Sequence, residues 1–598
     1  MKSTESHVLK ESLIQEERAI SSDFTDDHHV EKNRFSLRQA PRQILTRTLT
    51  LTRPGHAYRT IKRIAYSLVP QLLRSKIWDD PAPKPKQFPT SYLNGLRGIT
   101  SLKVFTFHYT MVYSDFGFQP WATDDRHRHF LELPIIRYIY SGFTAHIFFG
   151  IAGYLTSLRL FQLIDKHDQA SRSQVLVNVS GALFRRAFRL YLPTLIVTLI
   201  TAHYLYFGLY EPNRPLLLDH INLFPGDWEE PKPEQFATYY EQMHNWAREM
   251  FDLTNIFAQR AVYPWHDQHL WSILAEMKGS IFLYLIIIAT AQCYKQVRLA
   301  ALCIMTVMFF LWNHWEIWVY ILGAIVAQVD LLLTERQQEK KMTLTPPVSH
   351  PTPASLNRLP PSPPRSPAFL QEKHQHQHQH QHQHQPQSQS ETWSRLSPYL
   401  ILPNTNTSNH RPSTLLSSLI NDRHLSSHTI LRFIAFLVAF YLLSYPIDGS
   451  RDYAPGYMTL NLLIPEWMDR KDKFYPNIGT GLLLFLLARP GGDATKSTWR
   501  HLLNSAPAQY FGRISFGLYL VHGPILHAFG YMIPHRIWWA MGTQGVDTTN
   551  GVWTFAILVG WAVSLAVSLW VADVWTREVE SRCVKAVKRL EEVCFVKG

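Results

Sequence analysis

Apolar runs of about 17 to 25 residues, the length that spans a bilayer's hydrocarbon, recur between polar stretches along this 598-residue chain. They lie near Leu93–Tyr113, Tyr138–Leu160, Leu190–Leu209, Leu270–Cys293, Leu299–Trp312, Ile317–Leu333, Leu431–Tyr445, Ile478–Ala488, Phe511–Ile533 and Val552–Ala572. Most are too long for the helices of a soluble core. The fold class this implies is all-α: a polytopic transmembrane helical bundle of about ten spans. Leu299–Trp312, Leu431–Tyr445 and Ile478–Ala488 are shorter than a full span. The mean hydropathy of −0.12 describes no part of such a chain, because long polar segments dilute the apolar ones.

A net charge of +13 raises the question of nucleic acid, and the position of the charge answers it. Arg34, Arg38, Arg42, Arg47, Arg53, Arg59, Lys62, Arg63, Arg74 and Lys76 precede the first span, as in a cytosolic flank. Further clusters follow at alternate loops: Arg159, Lys166, Arg172, Arg185, Arg186 and Arg189; Lys295 and Arg298; Arg489, Lys496 and Arg500; and Arg577, Arg582, Lys585, Lys588 and Arg589. The loop from Tyr210 to Gln268 is acidic instead, with Glu211, Asp219, Asp227, Glu229, Glu230, Glu234, Glu241, Glu249, Asp252 and Asp267 against Arg214, Lys232, Arg248 and Arg260. This alternation puts both termini in the cytosol and makes the bilayer, not nucleic acid, the partner. The membrane is expected to be an endomembrane (endoplasmic reticulum or Golgi) or the plasma membrane. No short apolar stretch with a small-residue cleavage site opens the chain, so the first span is expected to act as the insertion signal. Cys293, Cys303, Cys583 and Cys594 show neither disulfide nor zinc spacing.

Composition divides the chain further. Residues 1–90 read as a basic, largely disordered cytosolic region, 91–333 as the first six transmembrane helices, 334–428 as a disordered cytosolic insert, 429–576 as the last four helices, and 577–598 as a basic cytosolic tail. The insert is rich in Pro and Ser and carries an alternating His-Gln tract, His374 to Gln385. Such a segment buries too little apolar area to offset its ordering entropy. Without Cys or carboxylate partners the tract makes no defined metal site, and no metal is expected elsewhere.

Ionisable residues inside spans are costly and usually functional. The first span, SYLNGLRGITSLKVFTFHYTMVY, holds Arg97 and His108. Eleven residues at 100° each bring the two to within about 20° of one another, about 16 Å apart along the axis. With Arg97 at the boundary, His108 lies near the midplane, where an imidazole is neutral and can act as a base. Alternatively Arg97 snorkels to the interface and His108 only bonds a neighbouring helix. In FRRAFRLYLP, Arg185, Arg186 and Arg189 could grip phosphates, or could simply orient the third span. HLWSILAEMKGSIFLYL sets His269, Trp271, Glu276 and Lys278 at the outer mouth of the fourth span, where Glu276 could hold a histidine or an incoming hydroxyl, or pair with Lys278 or another basic side chain. FGRISFGLYLVHGPIL adds Arg513, Ser515 and His522; His146 and His527 read as structural.

Taken in order from about Tyr92 to Thr576, these segments resemble the acyltransferase 3 family of integral membrane acyltransferases, in its fungal branch. The resemblance is carried by LNGLRGIT with Arg97, ten residues and then His108; HIFFGIAGYL; RRAFRLYLP; LWSILAE; and ISFGLYLVHGP. It implies about ten helices and transfer of an acetyl or other short acyl group from acetyl-CoA or another acyl-CoA, a co-substrate and not a bound cofactor. Roles in catalysis carry over to Arg97 and His108. The cytosolic arginine pair corresponds to Arg186 and Arg189, with Arg185 beside it as a further donor-binding candidate, and Glu276 is a candidate for orienting His108 or the acceptor. Ala152 stands where many members have serine, so any role of that serine is absent, while Gly153 remains for close helix contact. The acceptor is a hydroxyl of a small-molecule secondary metabolite, a lipid or a carbohydrate. The rival function is a multi-spanning transporter using Arg97 and His108 as a substrate or proton path.

The charge alternation is testable directly. Glycosylation acceptors grafted into the 334–428 insert should stay unmodified in cells, and ones grafted beside Asp227 should be used; the reverse pattern would invert the topology.

Overall fold

In a medium without water a helix satisfies its backbone groups within its own segment, so apolar runs of this length fold as helices. A computed structural model of the chain describes residues 66–71, 74, 87–114, 119–123, 129–140, 144–166, 169–215, 233–258, 261–344, 427–447, 454–488, 497–543, 545 and 548–595. Among the described residues there is no strand. The helices are α1 (Ser91–Thr110), α2 (Ala145–Ile164), α3 (Gln169–Tyr206), α4 (Tyr239–Leu253), α5 (Trp271–Ala289), α6 (Lys295–Leu311), α7 (Trp315–Leu344), α8 (Ser427–Leu443), α9 (Met458–Leu462), α10 (Phe474–Ala488), α11 (Thr498–Leu503), α12 (Ala506–Ile525), α13 (Met532–Ala540), α14 (Asn550–Trp575) and α15 (Ser581–Cys594). Each apolar run of the sequence overlaps one of them, except Phe511–Ile533, which reaches from α12 into α13. Among the described residues six helical stretches are long and apolar enough to cross a membrane: Ala145–Ile164, Gln174–Tyr206, Gln268–Ala289, Trp315–Lys340, Ala506–Ala540 and Asn550–Cys594.

The outer surface fits lipid. Ile304, Val307 and Leu311 on α6, Leu431, Phe433 and Ile434 on α8, and Phe555 and Leu558 on α14 are exposed large apolar side chains, and patches of that extent mark a surface meant to be covered. Helix α1 is the opposite case. It carries Arg97 and Lys103, and its Lys103, Phe105, Phe107 and Tyr109 are all buried, so protein rather than lipid surrounds its polar groups.

Several boundaries differ from the expectation. Helix α3 begins at Gln169, so Arg185, Arg186 and Arg189 lie inside a helix rather than at its mouth. Helix α7 runs on to Leu344, past the expected insert boundary at Thr334. The expected ninth span is broken: α12 ends after Pro524, a π-helical turn covers Leu526–Gly530, and α13 follows. Proline lacks the N–H that its i−4 carbonyl needs, and a π turn is a common local repair. The expected basic tail is structured as well. A π turn at Thr576–Glu580 leads into α15, which docks on α3 through Arg185–Glu591 at 2.5 Å and Phe184 against Phe595. The expected disordered regions lie outside the described residues over 1–65 and 345–426, as does the Asp227 loop over 216–232.

The described helices belong to one unit, residues 1–337 with 430–598; the second unit, 338–429, contributes only the end of α7 and the start of α8 to the described residues. Glycines set two close crossings in the first unit. A Cβ on Gly95 or Gly98 of α1 would overlap the backbone of Leu503 or Gly512, and one on Gly512 the carbonyl of Asn94. Gly153 of α2 and Gly323 of α7 likewise meet the backbones of Tyr320 and Gly150, the close contact expected of Gly153.

A buried ion pair joins α2, α6 and α7. Arg298, fully buried, donates to Asp165 at 2.5 Å and to Gln328 at 2.6 Å, and Lys295 reaches Asp165 at 3.7 Å and Glu335 at 2.5 Å. Removing one partner leaves a buried charge without compensation, at a cost of about 3–5 kcal/mol. Asp165→Ala should therefore lower the thermal midpoint of the purified protein by several degrees. Removal of Glu578, which pairs with the largely exposed Arg582, should leave it nearly unchanged; equal midpoints would mean that Arg298 finds water.

Candidate active site

The site is built along α1. At one end of the Arg97–His108 face, Arg97 lies within electrostatic reach of Glu276, Glu580 and Arg186, and Arg189 within reach of Glu580, Arg97 and Arg186. Arg186 pairs with Glu276 at 2.9 Å and donates to the Tyr320 hydroxyl at 3.1 Å, which in turn donates to the Glu276 carbonyl at 3.2 Å. Three arginines thus converge on two carboxylates, leaving a net positive patch. Arg185 is not part of it: one residue away on the helix, it turns to Glu591.

Of the readings open for Glu276, the structure shows the basic partner: it is bonded to Arg186 rather than holding a histidine. The reason is helical geometry. Seven residues separate it from His269, which keeps the two on one face but about 10 Å apart along the axis. Lys278 is spoken for separately, donating to the Ala258 carbonyl at 2.9 Å with Glu316 at 3.6 Å.

At the other end three imidazoles meet. His108 packs edge to face on His269 with centroids 4.1 Å apart, His522 lies 5.3 Å from His108, and His269 and His522 are 4.8 Å apart. Each comes from a different helical segment. His269 sits in a short 3-10 turn, Gln268–Leu270, capped by Asp267. One Asp267 oxygen accepts both the His269 backbone N–H at 3.1 Å and its Nδ1–H at 2.8 Å. Tyr519 donates to the His269 carbonyl at 2.5 Å and shares a hydrogen bond with Ser272. His522 Nδ1 faces the carbonyls of Tyr519 at 2.8 Å and Leu518 at 3.2 Å.

Carbonyl and carboxylate oxygens only accept, so His269 and His522 both carry their proton on Nδ1 and present Nε2 as a lone pair. His522 Nε2 and His108 Nδ1 are buried without hydrogen-bond partners. The cluster is therefore a place for a proton to arrive. Among the described residues these histidines are also the group that could hold a metal, their candidate nitrogens lying within 4.8 Å of one another. Two imidazoles on one tetrahedral zinc at about 2.1 Å keep their centroids about 5 Å apart; His108 and His269 would have to separate to share an ion.

His146 and His527 are elsewhere. His146 bonds Asn477 at 2.6 Å against Trp315, and His527 stacks on Tyr210. Ser515 bonds the Gly512 carbonyl, and Arg513 stacks over Tyr510. Sequence reasoning named His269 in its motif without giving it a role, and passed over Asp267 and Glu580 as site residues. The Asp-Gln-His spacing was the available signal for Asp267 and for the role of His269, since an Asp two residues ahead can cap a turn and hold its histidine. Glu580 gave none.

A profile of the acyltransferase 3 type, described as an acyltransferase domain, matches residues 90–346 and 419–571. The chain belongs to the acyltransferase 3 family. It is similar to O-acetyltransferase PaAT-1 of Phomopsis amygdali, with 25% identity over 84% of this chain and 86% of that one. Acyltransferase R4 of a Phoma strain is 22% identical over 86% of this chain and 98% of its own length. Acyltransferase clz18 of Cochliobolus lunatus is 24% identical over a shorter stretch, 38% of this chain and 55% of its own. No solved structure matches. Family membership and the apolar helices together make this acyltransferase 3 protein a membrane acyltransferase.

Gly523 tests the histidine geometry. A Cβ there would lie 2.6 Å from His269 Nδ1 and 2.7 Å from the Asp267 oxygen that holds it. Gly523→Ala should displace the pair and slow acyl transfer on the order of a hundredfold, while gel filtration still shows a folded protein. An unchanged rate would mean that the Asp267–His269 contact does not set the chemistry.

Proposed function

We propose that the protein moves an acetyl or other short acyl group from acyl-CoA to a hydroxyl of a small-molecule, lipid or carbohydrate acceptor. The observation that carries this is the pairing, along one helix face, of a three-arginine patch with a buried histidine cluster about 16 Å away. Arg186 and Arg189, with Arg97, hold the phosphates of the donor, and its long thioester arm runs along α1 toward His108. The acceptor oxygen attacks the thioester carbonyl. His108 takes its proton, and His269, held in one tautomer by Asp267, stabilises the charge that develops. The carbon–sulfur bond then breaks, and the thiolate of coenzyme A leaves with a proton returned from the cluster. Arg97 supplies positive charge on the donor side.

In this reading the arginine patch faces the cytosol, where acyl-CoA is found, and both termini lie on that side of a ten-span protein. The names of the fungal relatives, one of them an O-acetyltransferase, support acetyl transfer and an acceptor made by secondary metabolism. The family match favours this reading over a transporter.

Membranes bearing the protein should consume acetyl-CoA in an acceptor-dependent way when supplied with metabolites from cells lacking it. His108→Ala should lower kcat by about 10²–10⁴ with little change in the acyl-CoA KM, and should insert normally, since it makes the span more apolar. Arg189→Ala should chiefly raise that KM. Wild-type turnover by inserted His108→Ala protein would remove His108 from the chemistry.

A further inference from the structure

The way the three imidazoles are held bears on more than proton transfer. A histidine that ligates a metal almost always donates its second ring N–H to a carboxylate, a backbone carbonyl or water, which fixes the tautomer and aims the other nitrogen at the ion. Two rings of the cluster have such backing. His269 gives its Nδ1–H to the Asp267 carboxylate at 2.8 Å, and His522 gives its own to the Tyr519 carbonyl at 2.8 Å. His522 is 1% exposed, and its Nε2 is buried with no hydrogen-bond partner. One nitrogen from each of His108, His269 and His522 lies within 4.8 Å of the others. No spacing in the sequence announces this set, because its members come from segments far apart in the chain.

Ring spacing and charge narrow what fits. On a tetrahedral ion with nitrogens at about 2.1 Å, imidazole centroids stand about 5 Å apart. His269 and His522, at 4.8 Å, and His108 and His522, at 5.3 Å, already stand so; His108 and His269, at 4.1 Å, must open by about one ångström. That movement falls on His108, whose Nδ1 has no partner to break, while the other two rings are tied. Asp267 puts a buried carboxylate behind the neutral nitrogens, and its Oδ2 has no hydrogen-bond partner, so a divalent cation here meets a counter-charge. Imidazole suits zinc and its neighbours in the first transition row, whereas magnesium and calcium take oxygen ligands.

We propose that His108, His269 and His522 form a binding site for a divalent transition-metal ion, zinc above all, and that the bound ion inhibits the protein. The ion takes the lone pair with which His108 receives the acceptor's proton. Binding of the metal stands on the geometry alone, while its inhibitory effect rests on the acyl-transfer reading above.

The test uses the full-length protein in nanodiscs, without acyl-CoA, with Co²⁺ as a visible probe, because tetrahedral nitrogen-bound Co²⁺ absorbs far more strongly than six-coordinate Co²⁺. Wild-type protein should show the tetrahedral bands, and Zn²⁺ but not Mg²⁺ should abolish them. The His374–Gln385 tract also takes up metal, so it is kept in every variant and only the loss of bands is scored. His108→Ala and His522→Ala should lose the bands. Asp267→Asn, which keeps an acceptor for His269 and removes the charge, should weaken Co²⁺ roughly tenfold to a hundredfold. Zn²⁺ should stop acyl transfer by wild-type protein, and a chelator should restore it. Six-coordinate bands alone in the wild type, or tetrahedral bands that persist in both histidine variants, assign the ion to the tract and overturn the site. The wild-type spectrum decides this even if a variant misfolds. Transfer that rises with Zn²⁺ overturns the inhibition. Absence of the bands with His108-dependent transfer intact removes only the metal site, whereas the bands without any transfer remove only the acyl-transfer reading.

Discussion

The close approach of α1 and α12 governs the rest of the site. Lipid tails give two apolar helices no hydrophobic reason to associate, so packing and hydrogen bonds must hold them. Here Gly98 and Gly512 remove the side chains that would keep the backbones apart, and Gly95 does the same against Leu503 of α11. Gln509 then donates to the carbonyls of Ser91 and Leu503 at 2.7 and 2.8 Å, and Asn94 to Gln509 at 3.2 Å. The two helices run parallel from that contact. His108 lies ten residues beyond Gly98, and His522 ten beyond Gly512, so equal steps of about 15 Å bring the imidazoles to the same depth. A larger residue at the crossing would separate the histidines without touching them.

Buried charge is handled differently at the two ends of this face. The arginine end keeps its ions and compensates them only in part: Arg186 is paired with Glu276, while Glu580 serves Arg97 and Arg189 jointly. An incomplete set of counter-charges is what an anionic donor can complete. The histidine end holds one buried carboxylate, Asp267, beside its imidazoles. Its imidazoles are held by acceptors on Nδ1, which fixes where each lone pair points and prepares the cluster to take up a proton. Under the proposed function, this separation of about 16 Å would keep a charged donor near the arginines while the acyl transfer proceeds at the histidines.

The ion pairs that serve the fold sit apart from both. Arg298 and Asp165 join three helices at one end of the unit, and Arg185 with Glu591 fastens α15 to α3. In the sequence all of these cations look alike, as members of basic loops that orient spans. Arg298, Lys295 and Arg185 also hold helices together, and only their partners show it.

What lies within one helix could be read from the chain alone. The apolar runs marked the helices, and the 100° step put Arg97 and His108 on one face and made their separation calculable. The acyltransferase motifs came in order. What lies between helices could not be read, because periodicity says which face is apolar and not which neighbour it meets. For Glu276 a histidine, a hydroxyl or a basic partner all stood open, and packing chose Arg186; Arg185 was grouped with Arg186 and turns to Glu591; His269 gained its role only when a capped turn set it against His108. Neighbours in sequence one residue apart on a helix point about 100° apart, so two arginines in one motif can serve different ends. Helix identity and facing residues were determined by the sequence itself, through local hydrogen bonding and the side-chain period, whereas the partners of each buried charge were decided by the tertiary packing that brings distant segments within bonding distance.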